Sequence, residues 1–342
     1  WGAWRACSTG SQVDYTTMAD TEFLTGAAET VKRWARELWT EAPELIYWGQ
    51  FMADNPNGII QVKRDLEGQP GDELTFTLLR KLAGAGVTGD GVLEGNEEQM
   101  NHYSDSVVLD QRRNAVRLKG RLSERRTAFN QRTNAKDVLK TWLAETIDDD
   151  IFVQLDSNPS STIFGSGATS TATITSASTM TLALIDQAVA RAKKAAPKIW
   201  PVRVEGSDYY VVVMHSDVEY DLRQSTAWQD NHQEAGPREY GSNAIFIGGI
   251  GVHGGAVLHS HVKVPISTTY GAAGDLPGAS NFFLGRQAGL FAWGARPEWW
   301  EKEFDYNNRV GFAIGAIWDF TKAVFNAADH SFLAIRTYRT NN

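Results

Sequence analysis

From Ser123 to about Asp150 one helical stripe dominates the chain. Ala128, Phe129, Arg132, Ala135, Leu139, Trp142, Leu143, Ile147 and Ile151 recur on a 3.6-residue period. At about 1.5 Å per residue, roughly 28 positions make a rod of about 42 Å, long for a globular helix. Any fold for this sequence has to be built along that rod. Its far end carries Asp148, Asp149 and Asp150. Acids at a helix C-terminus oppose the helix dipole by about 0.3–1 kcal/mol each, so a cationic partner is expected there.

On either side of the rod the period changes. ELTFTLLRKLA opens with the alternation Leu74, Phe76, Leu78 and predicts a strand; SDSVVLDQRRNAVRLKG alternates loosely and predicts its return partner. Between them lies KLAGAGVTGDGVLEGNEEQM, too rich in glycine for either strand or helix, so the pair predicts a long hairpin with a wide, flexible tip. GAAETVKRWARELWTEA, about 26–40, predicts a helix with Val31, Trp34, Ala35 and Leu38 inward. The Ser/Thr-rich stretch 156–180 fits a loop or a polar hairpin equally. A second helix carries Leu182, Ile185, Val189 and Ala192 on one face and stops before Pro197. YYVVVM predicts a buried strand that runs into a helix with Ser216 and Glu219 as its capping box. IFIGGIGV, AVLHSHVKVPI and SFLAIRTYR predict further strands. With helices and strands only loosely alternating, the class is α+β.

Charge narrows the function. The 342-residue chain has a net charge of −8, which argues against affinity earned by neutralising many phosphates. Yet Gln111–Arg132 holds Arg112, Arg113, Arg117, Lys119, Arg121, Arg125, Arg126 and Arg132 against the single acid Glu124. The acids gather elsewhere, at Glu97 and Glu98 and at Asp148–Asp150. Such segregation suits a protein that meets other copies of itself. One cysteine, Cys7, excludes an internal disulfide and a cysteine-built zinc site. No apolar run is long enough to span a bilayer, and WGAWRACSTG lacks the apolar core of a secretory signal, so neither membrane insertion nor export is expected.

The one motif with a familiar spacing is Gly84-Ala85-Gly86-Val87-Thr88-Gly89, a G-x-G-x-x-G. Dinucleotide binding requires a helix opening at the last glycine, whose N-terminus receives the pyrophosphate. Here Asp-Gly-Val-Leu-Glu-Gly-Asn follows and breaks any helix, so the glycines mark a mobile loop tip. His253, His259 and His261 lack a third ligand with a supporting shell and are expected as ordinary strand or turn histidines. Glu145, Asp148 and Asp149 share a helix face, but salt bridges to arginines of another subunit fit them better than a hard cation. There is no G-x-S-x-G elbow and no identifiable Ser-His-Asp or Cys-His set. No catalytic residue, cofactor or metal is expected.

Taken together, the polar N-terminal arm, the hairpin GVTGDGVLEGNEEQMNHYSDSVVLDQRRNAVR and the long helix resemble the major capsid proteins of tailed bacteriophages, in the branch with a GVLEGNEE-type extended loop. VVVMHSDVEYDLRQ and SNAIFIGGIGVHGGAVLHSH resemble later passages of the same family. The resemblance implies the Hong Kong 97 (HK97)-like capsid fold: an N-terminal arm over 1–50, an extended loop over 51–121, a peripheral domain with the spine helix over 122–155 and 301–342, and an axial domain over 156–300. It implies a structural, non-enzymatic subunit that self-assembles into hexamers and pentamers of an icosahedral head enclosing double-stranded DNA. Implied partners are other copies of the chain, portal, scaffolding and decoration proteins, and packaged DNA on the inner face. The setting would be a virion assembled in the bacterial host cytoplasm. A shell of the same fold around cargo enzymes is the alternative, and a nucleotide-dependent enzyme using residues 84–89 the alternative of another class. Assembly contacts are expected from Val92 and Leu93 as apolar anchors, and from Glu97, Glu98, Arg112, Arg113, Arg117, Arg125, Arg126, Asp148, Asp149 and Asp150 as charges.

Overall fold

The computed structural model describes residues 46–340 except 80, 83, 128–129, 196–197 and 236–247. The helix expected at 26–40 and the IFI part of the strand IFIGGIGV lie outside the described residues.

In chain order the elements are β1 (Met52–Ala53), β2 (Ile60–Lys63), β3 (Glu73–Leu79), β4 (His102–Val108), β5 (Asp110–Arg117), α1 (Arg121–Arg126), α2 (Gln131–Asp156), β6 (Thr162–Phe164) and α3 (Leu182–Lys194). There follow β7 (Val202–Val204), β8 (Ser207–Met214), α4 (Ser216–Gln224), α5 (Thr226–Ala235), β9 (Gly251–His253), β10 (Ala256–Ser260), β11 (Ile266–Tyr270) and β12 (Leu276–Leu284). The chain closes with β13 (Gly289–Phe304), β14 (Arg309–Lys322), β15 (Val324–Phe325), β16 (Ala328–Asp329) and β17 (Phe332–Tyr338).

The rod is α2, and its limits differ from the expected ones. The short α1 stops at Thr127, which is extended, and α2 restarts where the Asn130 side chain accepts from the N–H groups of Arg132 and Thr133. That cap satisfies donors a continuous helix would have used internally, so the sequence starts a second helix. At the other end α2 runs on to Asp156, because Ile151, Phe152 and Leu155 extend the buried stripe of Ala135, Leu139, Leu143 and Ile147. The three acids Asp148–Asp150 therefore lie inside the helix, and the dipole argument for them falls away.

Two sheets share the rod. The larger runs β6-β17-β12-β8-β10-β9, with β11 beside β12 and β7 beside β8. Alternation splits its residues: Val211, Val213, Phe282, Leu284 and Phe332 join the core around α2, while Val212, Met214, Phe283, Leu333 and Ile335 join a second core with α3 and α4. Covered on both faces, β8 reads as the unbroken run YYVVVM. The smaller sheet runs β1-β2-β13-β14-β5, and its β13 and β14 form a long antiparallel hairpin that sequence reading left unassigned. Register shifts between Trp293 and Glu298, around Gly294 and Pro297, hide the strand period there.

Several expectations are corrected. The strand Leu74–Leu79 pairs with β4, Leu74 opposite Val107, while β5 turns away and pairs with β14 instead. One predicted return strand is thus two strands in two sheets. The stretch 156–180 is neither plain linker nor hairpin; β6 inside it pairs in parallel with β17. Gly165 is needed there, since a Cβ would stand 2.3 Å from the Ser178 carbonyl oxygen. Helix α4 is capped by His215, whose Nδ1 accepts from the Asp217 N–H, not by Ser216. The sheets also cross the expected domain limits: β17 lies with β8, and the first half of β13 lies with β5.

Candidate assembly surface

The β3–β4 hairpin is anchored at its base and bare at its tip. Leu74 and Phe76 pack with Val107, Leu290 and Ala292, and Phe76 meets the Phe325 ring edge-on at 5.7 Å. From Lys81 to Asn101 no helix or strand forms among the described residues. The loop is held by its own polar groups: Glu98 accepts from the Gly84 N–H at 2.6 Å, Glu97 from the Gly95 N–H at 2.8 Å, and Asn96 donates to the Val92 carbonyl at 2.9 Å. Gly86, Gly89 and Gly95 sit at φ of +70°, +65° and +86°, where any side chain is strained. The G-x-G-x-x-G is thus a run of turns with no helix after it. Val92 and Leu93, 68 % and 59 % exposed, stand out from the loop with Leu82 and Met100.

The cationic run fans out over β5, α1 and the start of α2. Arg112 bonds Asp150 of α2, and its guanidinium lies 5.5 Å from the Trp318 ring centre. Arg117 stands over Phe304 at 5.7 Å. Arg132 grips both oxygens of Glu301, at 2.5 and 2.7 Å, and Trp299 donates to the same carboxylate. Arg113, Arg125 and Arg126 are exposed.

The three acids of α2 find partners within the chain. Asp149 pairs with Lys263 at 3.0 Å, and Asp150 with Arg112. Asp148 is 2 % exposed and accepts the N–H groups of Tyr47 and Trp48 at 2.8 and 3.2 Å. It fastens the start of the described chain to α2, so its carboxylate is turned inward rather than towards a neighbour. Burial pushes this carboxyl up to about 6, against the lowering pull of the two N–H donors and of Lys263. Sequence reasoning missed Tyr47 and Lys263, which are distant from Asp148 along the chain and carry no local signal.

The histidines serve packing. His259 meets Phe51 edge-on at 5.0 Å, His261 stacks on Phe152 at 5.1 Å beside Tyr47, and His253 pairs with Asp186. Among the described residues no group of three or more His, Cys, Asp or Glu is gathered as a metal site, and no helix is long and apolar enough to cross a membrane.

Comparison with known proteins places this geometry. The sequence matches the family described as phage capsid protein over residues 22–166 and 158–340. It is 29 % identical to the major capsid protein of Pseudomonas phage KPP25, covering 92 % of this chain and 93 % of that one. Among solved structures it superposes on the capsid of Ralstonia phage GP4 with a TM-score of 0.82 and 32 % identity, over 94 % of this chain and 99 % of the other. The capsid asymmetric unit of cyanophage Pam1 gives 0.81 and 25 % identity, over 94 % and 100 %.

Proposed function

From the premise that this chain belongs to the phage capsid protein family, we propose that it is the major capsid protein of a phage head, an HK97-type subunit whose many copies close into an icosahedral shell. The observation that carries this reading is the loop between β3 and β4. It holds Leu82, Val92, Leu93 and Met100 out in solvent, with nothing among the described residues to cover them. Exposed apolar groups on a glycine-hinged loop call for a surface supplied by another molecule, and in a shell that molecule is the next copy. The loop acts as an assembly clasp, with Val92 and Leu93 as anchors and with Glu97, Glu98, Arg113, Arg117, Arg125 and Arg126 meeting opposite charges on adjacent copies. Arg112, Asp149 and Asp150 contribute through the pairs they already make, which fix α2 to β5 and to the loop holding Lys263.

The finer reading is that copies group as hexamers and pentamers around packaged double-stranded DNA, joined by portal, scaffolding and decoration proteins, with assembly in the host cytoplasm. Residues 1–50 act as an arm, 51–121 as the extended loop, 122–155 with 301–342 as the peripheral domain and 156–300 as the axial domain, with strand pairing running across these limits. The subunit carries out no catalysis. Negative-stain microscopy of the purified chain tests the core claim. Closed, uniform shells are expected; a chain that stays monomeric at high concentration, with or without scaffolding protein, overturns it.

A further inference from the structure

Strand β5 is the outer edge of the five-stranded sheet, with β14 on one side and, among the described residues, no strand on the other. The register pairs Arg117 with Gly311 and Asp110 with Trp318, and the ladder continues with the Leu118 N–H bonded to the Val310 carbonyl. In an antiparallel ladder, donors alternate between the two sides. The even-numbered residues of β5 thus face β14, and Gln111, Arg113, Ala115 and Arg117 turn their N–H and C=O groups outward. Two of these outward donors are closed by the side chain just before them. The Gln111 N–H bonds the Asp110 carboxylate at 2.8 Å, and the Ala115 N–H bonds the Asn114 side-chain oxygen at 2.8 Å. Arg113 and Arg117 lie between and beyond these caps.

We infer that the edge of β5 is a strand-docking surface for a second copy of this chain, kept partly shut by Asp110 and Asn114, and that its occupant is the acidic loop segment 90–101. The inference rests on the capsid reading above and adds where the loop binds and by what bonds. An open eight-residue edge is a template for any extended chain unless something blocks it. Charge selects the occupant. A second β5 would set Arg113 and Arg117 against the same arginines, whereas Asp90, Glu94, Glu97 and Glu98 of the loop bring opposite charge. Residues 96–101 also form no strand of their own and lead directly into β4, so ordering them as a strand prolongs one that exists. The Asx caps then have a task. They satisfy edge donors in the free subunit and rotate away once a backbone carbonyl replaces them, which restrains pairing before assembly.

Arg113→Pro tests the backbone claim, because it deletes an outward N–H and leaves the β14 ladder whole; proline is tolerated at such edge positions. The expected variant melts close to wild type but yields roughly tenfold fewer shells by sedimentation, as for the loss of one backbone bond repeated at every interface. A charge exchange decides the matter should the proline variant not fold. Arg113→Glu with Arg117→Glu should abolish assembly, and adding Asp90→Lys with Glu94→Lys in the same chain should restore it. These two acids are chosen because Glu97 and Glu98 hold the loop backbone. Asp110→Ala with Asn114→Ala should lower the protein concentration at which shells appear; an unchanged threshold removes the capping role. Wild-type shells together with normal shells from Arg113→Pro, or no restoration by the charge exchange, overturn the docking inference alone. A wild-type chain that makes no shells overturns the capsid reading and this inference with it.

Discussion

Asp148 shows how one residue can cost stability and still be needed. Its carboxyl is held near 6 against an ordinary value of 3.8, chiefly by burial. A raised acid pKa means the fold prefers the protonated form. The associated stability is complete below about pH 4 and is lost as pH climbs through 6, by roughly 3 kcal/mol at pH 7. Asp148→Asn removes the charge but keeps an acceptor for only one of the two N–H groups, because Tyr47 and Trp48 bond different carboxylate oxygens. Urea unfolding should find the variant more stable than wild type at pH 7.5, by about 1 kcal/mol after the cost of its new NH₂ group. At pH 4.5 the order should reverse, wild type having regained about 2 kcal/mol, and a wild-type curve flat between those pH values would refute the assignment. Of this residue the sequence disclosed only that an acid sat on α2. Its partners lie about 100 positions upstream at Tyr47 and Trp48.

At the scale of elements, the loop and the short helix α1 are the parts that fold without supporting the subunit. Replacing Gly84–Gly95 by a short Gly-Ser bridge should shift the thermal midpoint little, since loop closure depends weakly on length. The same deletion should strongly reduce particles in a sedimentation profile. Unfolding of the variant would instead place the loop in the core. Arg125→Glu with Arg126→Glu removes two exposed cations from α1, whose residues are all outside the core. Exposed pairs are worth only about 0–1 kcal/mol each, so their effect comes from repetition over many interfaces. Circular dichroism should be unchanged while shell yield falls, and normal particles would exclude α1 from the interface. Element types were well marked in the sequence, because amphipathic periods are local. Their pairing was not: β4 and β5 form one continuous run of alternation, and only the packing of β4 on Leu290 and Ala292 separates them.

For the whole molecule, the question is whether copies are joined by contacts alone. A lysine–asparagine cross-link requires both side chains and a desolvated carboxylate brought together across an interface. Lys81 is exposed on the loop, outside the water-excluded setting that such a reaction needs. Denaturing electrophoresis of mature particles should therefore give a single band at the monomer position; a ladder of multimers would refute this. Without covalent joins, shell stability should rest on the clasp and on β5, and should fall with rising salt as far as charge contributes.

The sequence by itself determined the rod, the buried strand YYVVVM, the helix of Leu182, Ile185, Val189 and Ala192, the bare glycine loop and the family resemblance. Each of these is written in neighbouring residues or in one local period. Only the tertiary structure decided where β5 pairs, that Asp148 faces inward, that Asp149 meets Lys263, and that β13 and β14 form one long hairpin through the irregularity at Pro297. Those outcomes depend on groups far apart in the chain, and burial and hydrogen-bond satisfaction act on distances in space that no local period records.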